Sequence, residues 1–308
     1  MIISPEKNKI KKFGITLIEK TRKVSLPGFE KVPVYDVGVF FFRGIWQGAI
    51  TTRASSIAFN FFLALFPAII FFFTLIPFVS SINFQSEILG LLKDVMPRNA
   101  YETVKDTLED ILTNQRGSLL SIGFFAALYF STSGISSMIE AFNTSIHSTE
   151  TRTWLSQRII SFLLVLILSV LITTAITMIV FSEIAMNYLV NLHLLKDDWI
   201  FYLLYFGKWV IIIALFFFAI SFLYYFAPVK KEKLRFISAG STLSTLLTIL
   251  TSLCFSYYIN NFGQYNKLYG SIGTVLVILL WLYFNSIVLL IGFELNVSIR
   301  NAKAREIG

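Results

Sequence analysis

The chain has 308 residues, of which 56% are hydrophobic and only 14% charged, with a mean hydropathy of +0.71. Ordinary soluble domains carry about 25% charged residues, so the composition argues against a water-soluble enzyme. The formal net charge of +8 matches anionic lipid headgroups, with nucleic acid the weaker reading.

Residues 1–35 are basic and polar. They hold no short apolar core followed by a small-residue cleavage site, so no cleavable signal peptide is expected and the first membrane helix serves as the insertion signal. Residues 9–24 set Ile10, Phe13, Leu17 and Val24 among Lys9, Lys12, Lys20 and Lys23, the pattern of a basic amphipathic helix; Leu26-Pro27-Gly28 ends it. A second amphipathic stretch follows. Val37, Phe40, Phe41, Ile45 and Gly48 fall on one face and Asp36, Arg43 and Gln47 on the other, so it is expected to lie along the inner interface before the chain turns inward near Arg53.

Six long uncharged stretches then run over 54–86, 117–139, 159–182, 209–229, 236–266 and 268–293. Each exceeds the roughly 20 residues that a helix needs to cross a ~30 Å hydrocarbon core. In lipid the backbone must satisfy its own hydrogen bonds, so these segments are helices. The expected fold is therefore all-α, a polytopic membrane protein with six transmembrane helices plus amphipathic interfacial ones. Its organisation reads as a basic extension over 1–35, a membrane domain over 36–300 and a short tail over 301–308.

Within the first span, Pro67 frees a backbone carbonyl one turn earlier and Asn60 adds an amide. The connection at 80–118 has helical patterning of its own. Ile88, Leu91, Leu92, Val95 and Met96 recur at helical spacing, and after Pro97 a second run starts with Asn99 as N-cap and Glu102 reaching back. Glu102, Asp106 and Asp110 line one side of that second helix. They read as an exposed acidic face, with weak binding of a hard cation the lesser alternative.

The second span carries Ser131, Thr132, Ser133, Gly134, Ser136 and Ser137, small residues that allow close helix contact or line a polar groove. Asn143 follows at its end. Lys208 in the fourth region can reach outward along its own stem. The last two spans are joined by a turn that includes Lys267, Tyr269 and Gly270, where interfacial anchoring and phosphate contact are both open. Glu294 and Asn296 lie at the end of the sixth span. A charge at such depth is costly, so Glu294 is expected to pair with Arg53 or with the basic cluster at 230–235, fixing helix register or touching substrate.

Nineteen Lys and Arg fall on the two termini and one set of alternating connections, against six on the opposite set. The positive-inside bias then places both termini in the cytoplasm. Cys254 is the single cysteine, so no intramolecular disulfide forms, and His147 and His193 fall in different connections.

The final turn, with Trp281-Leu282-Tyr283 and Gly292-Phe293-Glu294-Leu295-Asn296, resembles the C-terminal signature of the YihY/BrkB membrane protein family. Arg53-Ala54, Ala58-Phe59 and Leu65-Phe66-Pro67 resemble its first-span pattern, and Ser133-Gly134, Asn143, Arg152 and Trp154 match further along. The likeness covers about residues 36–300. Departures are Phe59 for a usual tyrosine, Ala64 for a usual serine, and Ile237-Ser238-Ala239-Gly240 where a Pro-Gly pair often starts the fifth span. The resemblance implies six transmembrane helices in a bacterial cytoplasmic membrane. Family members have carried a ribonuclease BN label alongside links to serum resistance and envelope lipid transport.

Phosphodiester hydrolysis wants clustered carboxylates or histidines, or a general acid–base pair. Neither is visible here, so no catalytic residue, metal or cofactor is expected. Membrane phospholipids are the expected partners and nucleic acid is not. The leading expectation is transport or handling of an amphipathic anionic molecule, through residues drawn from Arg53, Asn60, Pro67, Ser133, Asn143, Lys267, Tyr269, Gly270, Glu294 and Asn296. A non-catalytic envelope scaffold acting through partners is the alternative.

Overall fold

The computed structural model describes residues 21–22, 24–79, 89, 98–145, 152–191, 198–229, 235–261 and 271–307. The helices described in it are α1 Val34–Gln47, α2 Ile50–Val79, α3 Arg98–Thr113, α4 Gly117–Ser145, α5 Trp154–Asn191, α6 Asp198–Phe226, α7 Ala239–Asn261 and α8 Ser271–Ile307. Six of them, α2 and α4 to α8, are long and apolar enough to cross a membrane. The protein is therefore a multi-pass α-helical membrane protein, with α1 and α3 as its amphipathic helices.

The helices outrun the apolar windows that announce them. Once a helix has nucleated, each further residue adds a hydrogen bond, so it does not stop where hydrophobicity does. α6 begins at Asp198 rather than near Trp209 and takes in Lys208. That ammonium lies 4.9 Å from the Tyr205 ring centroid and 5.9 Å from that of Trp209. α8 passes the expected exit at Phe293 and reaches Ile307. Its 37 residues span about 55 Å at ~1.5 Å each, so its last turns stand beyond the hydrocarbon. α7 starts at Ala239, later than expected, because Ser238 and Ser241 cap it reciprocally, each backbone N–H donating to the other's hydroxyl at 3.1 Å. α3 starts at Arg98, so Asn99 lies inside the first turn and is not its cap. Most of the run expected at 9–24, and all five apolar positions of the run expected from Ile88 to Met96, lie outside the described residues.

The chain forms two compact units, one of residues 1–57 with 135–308 and one of 58–134. In the first, α8 packs along α7 and against α1, while α6 lies against both α5 and α7. The starts of α2, α5 and α7 and the ends of α4, α6 and α8 define a rim that carries Arg53, Arg152, Arg235, Lys303 and Arg305, here called the basic rim. Gly240 and Gly292 let α7 and α8 cross backbone to backbone, since a Cβ on either would overlap the other helix. In lipid such packing, rather than a hydrophobic driving force, holds helices together. Beside the crossing, Phe142 and Phe293 stack at 4.2 Å, with Tyr224 edge-on to both. All three rings are fully buried.

At the basic rim a small apolar cluster of Val32, Val37, Ile299 and Ala302, flanked by Phe29, Phe40, Ala239 and Leu295, docks α1 and the loop before it onto the end of α8. A Cβ added at Gly28, whose φ is +89°, would lie 3.3 Å from the Ala239 side chain. Glu30 accepts from Lys303 and, at 3.2 Å, from Arg235. Arg43 and Gln47 face outward as expected, but so do Phe42 and Trp46, 71% and 91% exposed. That mixture of aromatic and polar groups suits headgroup depth rather than open water.

In the second unit, α2 and α4 approach closely where Gly123 faces the Phe71 backbone and Gly134 faces the Phe61 ring. Pro67 and Pro77 lie inside α2, which continues through both. On α3, Leu112 is buried, and Asp110 closes the following turn by accepting two bonds from Arg116, at 2.7 and 2.8 Å, and one from Asn114 at 2.8 Å.

Candidate functional site

The turn between α1 and α2 sets up the site. Gly48 donates to Gly44 O at 2.8 Å, Ala49 adopts φ +46°, and α2 begins at Ile50, so Arg53 stands one turn inside it. Its Nη1 donates to Ala141 O at 2.7 Å and to Ser145 Oγ at 2.6 Å, both at the end of α4. Glu294, on α8 and 4% exposed, is the charge that acts on this guanidinium.

Two glycines, Gly44 on α1 and Gly48 at its C-cap, open the space for these groups. A Cβ at Gly44 would overlap the Glu294 carboxylate, and one at Gly48 would lie 2.6 Å from Arg53 Nη2. Both glycines lie on one helix face, four residues apart. Sequence reading missed their role. The signal was there, in small residues at helical spacing just before an arginine.

One edge of Arg53 remains unused. Nε and Nη2 are buried and have no hydrogen-bond partner among the described residues. This is the edge on which a guanidinium binds two oxygens of a carboxylate or phosphate side by side. The rim thus holds a cation fixed at one nitrogen, a buried acid nearby and a fork of unused N–H donors.

Other expected residues turn out to brace this rim. Asn296 accepts from the Gly240 N–H at 2.8 Å and donates to Ser238 Oγ at 2.9 Å, tying α8 to the start of α7. Asn143 Oδ1 accepts from the Val229 N–H at 3.0 Å. Arg152 donates to the carbonyls of Ala227 at 2.9 Å and Pro228 at 2.7 Å, closing the end of α6. Burial lowers the Arg152 pKa from its ordinary value, yet a guanidinium stays charged at any physiological pH. Tyr224, which sequence reading did not single out, sets its hydroxyl 2.5 Å from Ser244 Oγ and 2.6 Å from Leu289 O.

The structure brings Arg53, Asn143, Glu294 and Asn296 into the first unit. Asn60, Pro67 and Ser133 belong to the second, where Ser133 spends its hydroxyl on Tyr129 O of its own helix at 2.9 Å. Lys267, Tyr269 and Gly270 lie outside the described residues, as do His147 and His193. Among the described residues no three His, Cys, Asp or Glu side chains gather closely enough to hold a metal ion.

Comparison with known proteins agrees with this architecture. The profile of the family described as virulence factor BrkB matches residues 41–307. YfkH of Bacillus subtilis (strain 168), which carries a ribonuclease-like name, is 28% identical over 256 residues, covering 82% of this chain and 90% of YfkH. UPF0761 membrane protein IL2447 of Idiomarina loihiensis is 24% identical over 70% of this chain and 73% of its own length. UPF0761 membrane protein NT05HA_1801 of Aggregatibacter aphrophilus is 22% identical over 83% and 88%. No solved structure matches significantly.

Proposed function

This chain belongs to the virulence factor BrkB family, and within it we propose that the protein handles an amphipathic anionic molecule of the phospholipid kind at the basic rim. That rim faces the cytoplasm of a bacterial cell and both termini lie on that side, in keeping with the excess of Lys and Arg there. The observation that carries the reading is the unused Nε–Nη2 edge of Arg53. A phosphodiester headgroup presents two oxygens to match it. Glu294 keeps the cation from standing alone between guests, and an arriving phosphate competes with it.

The test is headgroup exposure in liposomes that contain phosphatidylglycerol and the purified protein. Wild type accelerates exchange between leaflets over protein-free vesicles. Arg53→Gln lowers that rate by roughly tenfold or more, the worth of a charge-assisted bidentate contact. Arg53→Lys, which keeps the charge but not the fork, falls between. No acceleration by the wild type across several lipids overturns the reading.

A second reading, a non-catalytic scaffold acting through partners, is favoured by the hydroxyls of the spans. Thr74, Thr132, Thr174, Thr245 and Ser286 each donate to a carbonyl three or four residues back, which suits packing rather than a polar path. The ribonuclease reading draws on names, that of YfkH among them, and on no catalytic group described above.

A further inference from the structure

Three buried oxygens on neighbouring helices have no hydrogen-bond partner among the described residues: Ser221 Oγ on α6, Thr248 Oγ1 on α7 and Asn285 Oδ1 on α8. Ser221 is fully buried and Thr248 is 8% exposed. The Asn285 amide is oriented by its own Nδ2, which donates to Trp281 O at 2.8 Å, so Oδ1 is turned away from that carbonyl.

Helix register brings the three to one depth. Tyr224 meets Ser244 and Leu289, and Ser244 donates to Val288 O at 3.1 Å, which fixes the level where α6, α7 and α8 touch. Ser221 precedes Tyr224 by three residues, Thr248 follows Ser244 by four, and Asn285 precedes Leu289 by four. Residues at those spacings share a helix face. Since α6 and α8 run toward the basic rim and α7 away from it, all three steps lead the same way, by about 4.5–6 Å. From the other side, a groove of about 360 Å³ between α7 and α8 counts Ser252 and Trp281 among its lining residues. These too lie four residues from Thr248 and Asn285. The pair is therefore bracketed above and below on one seam, with Ser221 at the same depth on α6.

We propose that Ser221, Thr248 and Asn285 hold one ordered water that joins α6, α7 and α8 in the membrane interior. The valences match. Each hydroxyl has a proton to give and the amide oxygen can only accept, so a water accepts two bonds and donates one, the coordination usual for buried water. A monovalent cation would satisfy Asn285 but leave both hydroxyl protons unused, and it would place a charge at depth with no acid in its shell. The water turns three costly oxygens into a tripod. It leaves the Arg53 rim and its proposed headgroup contact untouched.

The sign of a mutational effect decides the matter. Replacing an unsatisfied buried hydroxyl by an isosteric apolar group removes a penalty and stabilises, whereas replacing one that bonds a water removes a bond and destabilises. Ser221→Ala and Thr248→Val, in full-length protein in lipid nanodiscs, are expected each to lower the thermal midpoint by a few degrees. The double variant falls by less than the sum, because the two share one guest. Unchanged or raised midpoints that add independently overturn the proposal. So does a wild-type midpoint that rises in sodium chloride over choline chloride and loses that rise in Thr248→Val, since the guest would then be a cation.

Discussion

At Gly44 the absence of a side chain is what lets Glu294 lie against α1. Alanine there places a methyl on the carboxylate of a residue only 4% exposed, and overpacking of this kind costs about 1–3 kcal/mol. Gly38 is the control, since a Cβ there meets nothing within 4 Å on the same helix. Gly44→Ala lowers the thermal midpoint, while Gly38→Ala leaves it unchanged or raises it through helix propensity, worth up to about 1 kcal/mol. The Arg53–Glu294 coupling is tested by reversal. Glu294→Arg loses folded yield, and adding Arg53→Glu restores part of it. No recovery in the double variant means that another base balances Glu294. Both charges stand out in the sequence because a charge in an apolar run is rare. Tyr224 does not, since it sits in Leu223-Tyr224-Tyr225-Phe226 in a chain with 13 tyrosines and 32 phenylalanines. Only the crossing of α7 and α8 makes its hydroxyl special.

Among the elements, α3 carries a pH-dependent closure. Hydrogen bonds from Arg116 and Asn114 hold the Asp110 carboxyl below its usual range. A depressed carboxylate contributes stability that is present above its unfolded value, about 3.9, and lost as pH falls through the lowered folded one. A spin label at position 115 stays ordered from neutral pH down to the ordinary carboxylate range and loosens only below it. In Arg116→Gln the loosening begins at higher pH. Identical profiles would show that the ion pair does not hold the turn. The existence of every membrane helix was legible from length and apolarity, yet their ends were not, because capping by Ser238 and the polar extension of α8 act beyond the apolar windows. The outward face of α1 was half legible. Periodicity places Arg43 and Gln47 outside, but Phe42 and Trp46 go with them because their exposed side meets headgroups rather than water.

For the molecule as a whole, Glu30 latches the basic rim. Glu30 is 12% exposed and receives Lys303 and Arg235 from two other stretches of chain. Removing one member of such a shielded group leaves the others without a counter-charge. Glu30→Gln is expected to speed protease cleavage within residues 24–33 several-fold in purified protein, without changing cleavage at the opposite ends of the helices. Equal rates at both places would mean that the apolar cluster of Val32 and Val37 suffices alone.

This latch also dictates a timetable. Lys303 lies 273 residues after Glu30, so α1 waits for α8 to be made before its apolar side is covered. Val37 and Phe40 stay bare through synthesis of everything between them, and nascent chains emerge in that order. A product truncated before α8 would keep its early membrane helices but never shield α1. The cell's proteases would then have an exposed handle that marks unfinished copies for removal.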